Sequence, residues 1–237
     1  MNSYIPDDWL KAVSAGSFLY PCAGHDYQPA ISIFAPHVSD FTFCDLHYPA
    51  GLQMAPVVKK PEFDLISSDT EGAIHSEISC VEGHREIDPS TLIEVYVRRQ
   101  SNRRVTIRRR RGFGQFALLN AGLRSISVFM HRGDSPGESG SNIYFLADCR
   151  SSFTPIGCLL TKLEERLTDR AIVLSDGSNT RLRKLRKLHR QNISGAEAFQ
   201  RMGGTSFTHG DFRWSCIGFI DNRYGPTLAW GLERFRA

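Results

Sequence analysis

The residues most suggestive of chemistry are Tyr20–Asp26, YPCAGHD, which end a short apolar run with a proline and a glycine turn. A ligand can approach backbone closely where glycine carries no Cβ, and backbone N–H groups at such strand ends are natural hydrogen-bond donors. The next β-rich run, DFTFCD, ends in Asp45. An acid placed about 20 residues after a glycine turn can accept hydrogen bonds from ribose hydroxyls. Tyr20, Pro21, Cys22, Gly24, Asp26 and Asp45 are therefore the candidate contacts for a nucleoside-like ligand.

A second group lies in HRGDSPGESGSN, residues His131–Asn142. Asp134 and Glu138 there have the chemistry of a general base, of a group orienting a nucleophile, or of a magnesium ligand. The same composition suits an ordinary surface loop. Asp176 in SDGSN follows a further apolar run, and His209 stands two residues from Asp211 near the C-terminal hairpin; each has a plain turn or solvated reading beside the functional one. The third group is basic. Arg98–Arg111 interleaves arginines with Val, Thr and Ile, so Arg104, Arg108 and Arg110 share one face of a strand, suited to an anionic substrate or to nucleic acid. A charged edge that resists aggregation is the competing explanation.

These residues need elements to position them. A short helix is expected after Pro6 and a strand at Phe18–Tyr20. A helix opened by Pro29 comes next, and then a buried strand ending near Asp45. Thr91–Arg111 reads as a hairpin, LIEVYVRR and RRVTIRRRR around a polar turn. FALLNAGL reads as helix, Ile126–Met130 as a buried strand, and Gly157–Asp169 as an amphipathic helix with Leu160, Leu163 and Leu167 on one stripe. Ala171–Leu174 is the next strand, RLRKLRKLHRQ a basic amphipathic helix, and Phe212–Phe235 an antiparallel hairpin. Strand, turn, helix and strand at the start make a parallel βαβ unit.

Composition narrows the class. The chain has 237 residues, 41% of them hydrophobic and 23% charged, with a formal net charge of +4. That is enough chain for one sizeable core, and residues 1–237 are read as one domain with the basic hairpin at about 91–111 inserted in it. No run of about 20 apolar residues marks a membrane span. The first residues lack a basic segment followed by an apolar one, so the expectation is a cytoplasmic protein. Six cysteines without close spacing read as reduced thiols, and the eight histidines do not supply zinc-ligand pairs. No nucleophile-elbow, P-loop or zincin signature occurs.

The order of elements, the turn YPCAGHD and the acid Asp45 resemble the S-adenosylmethionine-dependent methyltransferase superfamily. Members share a first strand ending in a glycine turn, an acid at the end of the second strand and a closing antiparallel hairpin. This chain has Gly24 alone where members usually carry two or three glycines. Asp134-Ser135-Pro136 stands where amino-directed members keep an acid, prolines and an aromatic, but Gly137 replaces the aromatic. The resemblance implies an α/β, Rossmann-like fold. Its sheet would be mostly parallel and flanked by helices, with an inserted basic β-hairpin and a C-terminal antiparallel hairpin. It implies S-adenosylmethionine as cofactor and a methyltransferase-like enzyme acting on an anionic substrate. Two alternatives stand beside it: a non-catalytic protein binding nucleic acid or an acidic partner through the hairpin, and a metal-assisted hydrolase or transferase of a phosphorylated small molecule.

Overall fold

The computed structural model describes residues 2–58, 61–72, 80–81, 84–85, 90–112, 114–131, 159–176, 187–188, 191, 193–221 and 227–235. The chain enters through β1 (Ser3–Tyr4), α1 (Asp7–Ala12), β2 (Ser17–Tyr20), α2 (Gln28–Phe34) and β3 (Asp40–Asp45). It continues through β4 (Phe63–Glu71), β5 (Cys80–Val81), β6 (His84–Arg85), β7 (Thr91–Arg98), β8 (Arg103–Arg111), α3 (Gly114–Leu119) and β9 (Ile126–His131). It closes with α4 (Leu159–Arg166), β10 (Leu167–Ser175), α5 (Gly195–Met202), β11 (Ser206–His209), β12 (Phe212–Ile220) and β13 (Thr227–Arg234).

One 11-stranded sheet dominates, in the order β1-β12-β13-β10-β9-β2-β3-β8-β7-β4, with β11 paired to β12. The expectation of a mostly parallel, helix-flanked Rossmann-like sheet is corrected by its pairings. Four are parallel, joining β10, β9, β2, β3 and β8. The other six are antiparallel. Strand residues also outnumber helical ones among the described residues. The physical reason lies in Phe63–Arg111. The basic hairpin is no insertion, because β8 pairs along its length with β3, from Asp40↔Thr106 to Asp45↔Arg111. The nine-residue β4 then extends the sheet through β7.

Side-chain alternation sorts the core into two clusters, as a pleated strand requires. Phe18, Tyr20, Phe41, Phe43, Val128 and Met130 join the helix residues Val13, Ala30, Ile31 and Phe34 in one. Leu19, Cys44, Phe129, Val173 and Trp230 join Phe116, Leu163 and Ala198 in the other. Helix α1 docks through Trp9, whose ring lies so close to the backbone of Gly231 that a Cβ there would stand 2.6 Å from it. The guanidinium of Arg170 covers the same indole at 4.6 Å, a cation–π contact. Among the described residues, no helix is long and apolar enough to cross a membrane.

Candidate functional site

Strand β2 has β3 on one side and β9 on the other, both parallel to it. The chain goes first to β3 and reaches β9 only later, so the strand order reverses at β2. Crevices outside the carboxyl ends of parallel strands at such a reversal are where ligands bind. Tyr20 ends β2, and Pro21–Asp26 leave from that point.

The turn is held by the end of β3. The Gly24 N–H donates to Asp45 Oδ2 at 2.7 Å, and the Ala23 N–H donates to the Cys44 carbonyl at 2.9 Å. Asp45 Oδ1 accepts from the His47 N–H at 2.8 Å, so both carboxylate oxygens hold backbone. Three turn N–H groups are thus already engaged, the third being Asp26 to the Ala23 carbonyl at 3.0 Å. Gly24 has φ of 51° and Cys22 has 56°, the left-handed region that glycine tolerates and cysteine adopts at some cost. A Cβ built on Gly24 meets nothing nearer than Asp45 Oδ2 at 3.9 Å. The space over the turn is open. The Tyr20 hydroxyl donates to Asp26 Oδ2 at 3.4 Å, bringing a second carboxylate to the same turn.

Beside the turn lies a polar network that the sequence did not disclose. Arg109 Nη2 meets Glu94 Oε2 at 2.9 Å, with side chains 3% and 1% exposed. Tyr96 donates its hydroxyl to Glu94 Oε1 at 2.8 Å, and Arg109 also donates to the Ala55 carbonyl at 2.9 Å. The Arg109 guanidinium stands 5.9 Å from the centre of the Tyr27 ring. Burial holds the Tyr27 and Tyr48 phenols above their ordinary range, so both are neutral at physiological pH. Burial, aided by the bond to Glu94, does the same to Tyr96. Burial also pushes the Cys44 thiol up to about 12, which leaves it protonated and unreactive. Arg109 could have been suspected from strand alternation: it falls on the opposite face from Arg108 and Arg110, with Val105 and Ile107.

The predicted basic face is partly formed. Arg108 and Arg110 line a cavity of about 460 Å³ with Thr42, Asn120, Asp40 and Glu71, whereas Arg104 is exposed outside that lining. Arg108 pairs with Asp40 at 3.2 Å. On the other face, Arg103 and Arg111 hold backbone carbonyls, at Pro36 and Tyr48, both at 2.9 Å. Arg99 pairs with Asp64. Much of the basic charge in the hairpin is therefore committed within the protein.

Asp134 and Glu138 lie outside the described residues. His131, last in β9, is buried and registers with Ser175, last in β10. Asp176 follows it, 1% exposed, on the same strand-end edge as the turn. His209 does not pair with Asp211: its Nδ1 stands 2.9 Å from Glu164 Oε1. The chain matches no known protein-family model and no curated protein.

Proposed function

We propose that the chain binds an adenosine-containing ligand over Tyr20–Asp26 and acts as a methyltransferase-like enzyme with S-adenosylmethionine as cofactor. The observation that carries this reading is the Gly24 N–H bond to Asp45 at the point where the strand order reverses. It combines an open glycine, an acid at the next strand end and the crevice position that favours ligands. The closing antiparallel hairpin β12–β13 agrees with the same resemblance.

The chemistry of the turn favours a nucleoside over a phosphorylated compound. Two carboxylates, Asp26 and Asp45, stand at the turn, and each carboxylate oxygen has two lone pairs. They can accept from ribose hydroxyls but repel a phosphate. With three turn N–H groups engaged internally, the phosphate-cradling backbone is also largely spent. Bound S-adenosylmethionine supplies an electrophilic methyl group and leaves as S-adenosylhomocysteine. Tyr20, Gly24 and the two acids would orient the nucleoside portion.

The test is thermal unfolding with S-adenosylhomocysteine, which raises the melting temperature by an amount set by ligand concentration over affinity. Gly24→Val, forced into a left-handed backbone, should remain folded and lose that shift. An unchanged shift in the variant removes the turn from the site. No shift for the parent at saturating ligand, together with a shift from magnesium and a nucleotide, replaces the reading with that of a phosphate-handling enzyme.

A further inference from the structure

Strand β4 forms one margin of the large sheet. It pairs with β7 on one side, and among the described residues no strand pairs with it on the other. The Arg99 N–H donates to the Glu62 carbonyl at 2.9 Å, which fixes the main-chain groups that face β7. Antiparallel pairing alternates, so the main chain of Asp64 also faces β7, while that of Phe63 and Leu65 faces outward. Past the register shift between Leu65 and Ser67, the same alternation turns Ser68 and Thr70 outward. A nine-residue strand thus keeps a row of donors and acceptors free along its outer side. The guest that such an edge fits is an extended chain added as the next strand.

The side chains state what that chain carries. Asp64, Ser67, Asp69 and Glu71 register with Val97, Val95, Ile93 and Thr91, so they share one face of the sheet. Asp64 is paired with Arg99. Asp69 and Glu71 are exposed and have no cationic partner among the described residues. Leu65 and Ile66, beside them on the strand, are 42% and 61% exposed. A second copy pairing through β4 would gather these acids from both chains on one face, and like charges so placed are destabilising. A guest with a cation at every second position instead sets those cations beside Asp69 and Glu71, and its intervening apolar residues beside Leu65.

We propose that β4 is a docking edge for an extended basic segment of a partner protein, which joins the sheet with lysine or arginine facing Asp69 and Glu71. The acids keep the edge from pairing with itself and select the partner. The proposal does not rest on the ligand at the turn.

The test titrates a peptide of alternating lysine and valine, as long as β4, against the full chain by calorimetry at low salt. The expected result is one-to-one binding that weakens as salt is added. A glutamate–valine peptide should bind at least about tenfold more weakly. So should a lysine–valine peptide N-methylated throughout, which keeps the charges and loses its main-chain donors, again by about tenfold or more. Asp69→Lys with Glu71→Lys changes exposed side chains, so the double variant should fold as the parent does and prefer the glutamate–valine peptide. Absence of lysine–valine binding, equal binding of the N-methylated peptide, or an unchanged preference in the double variant overturns the proposal. A parental dimer in sedimentation that Ser68→Pro disperses, by removing an outward donor, assigns the edge to a second copy and overturns it as well.

Discussion

Asp45 accepts the Gly24 N–H on Oδ2 at 2.7 Å and the His47 N–H on Oδ1 at 2.8 Å, so one buried carboxylate ties the end of β3 to the turn after β2. Asp45→Asn keeps one acceptor oxygen and turns an amide N–H₂ toward the other backbone donor. The variant should lose about 1–3 kcal/mol, the cost of an unsatisfied buried polar group. Urea unfolding measures it. A variant as stable as the parent would show that the two bonds contribute nothing to holding the turn.

How far the sequence disclosed this arrangement depends on the range of the interactions. Local signals worked: the strand at Ser17–Tyr20, the helix after Gln28, the hairpin around Arg98–Arg103 and the strand ending at Asp45 all follow from β-propensity, proline and glycine placement. Pairing partners were less legible. The arginines of β8 made it read as a solvent-facing insertion, yet Val105, Ile107 and Arg109 form a buried face that seats β8 beside β3. Its true place depends on alternation matched against a strand 66 residues earlier, Thr106 lying opposite Asp40. Helix and strand also abut without a loop at Arg166–Leu167, where Leu167 fits the helical stripe and the strand equally well.

The candidate site divides in the same way. Gly24 and Asp45 were visible because a strand-end glycine and a strand-end acid have known spacing. Glu94, Tyr27 and Tyr96 were invisible as a group, because only the folded sheet brings them to Arg109.

That group yields a second prediction. Arg109→Met leaves Glu94 buried without its counter-charge, and should cost about 3–5 kcal/mol. Adding Glu94→Gln removes the uncompensated charge while its amide oxygen still accepts from the Tyr96 hydroxyl and the Val57 N–H, so the double variant should be markedly more stable than the single one. Chemical denaturation of the three proteins gives the comparison. Equal stability of single and double variants would mean that Glu94 finds another partner.

The seating of α1 gives a third. Gly231 faces the Trp9 ring with no room for a methyl group, since the added Cβ would lie 2.6 Å from it. Gly231→Ala must displace Trp9 and weaken its contact with Arg170, a loss of about 1–3 kcal/mol by overpacking. Tryptophan fluorescence alongside thermal unfolding reads both effects. An unshifted spectrum with parental stability would mean that the ring moves aside without penalty.

Glu164 gives a prediction in pH. Its carboxylate takes hydrogen bonds from His209 Nδ1 at 2.9 Å and Trp214 Nε1 at 3.2 Å, and packs against Gly210. Burial raises its pKa above the ordinary 4.5, and Asp211 adds to the rise, while His209 and Trp214 oppose it. A carboxyl with a raised folded pKa binds more protons folded than unfolded in the window from 4.5 upward to the folded value. Stability therefore falls as pH rises through that window. Glu164→Gln has no proton to lose there, so its stability should be flatter over the same range, in melting temperatures measured from pH 4 to 7. Arg234 approaches through the Glu164 carbonyl at 3.0 Å and is unaffected by the substitution. An identical pH slope in both proteins would assign the dependence to another group.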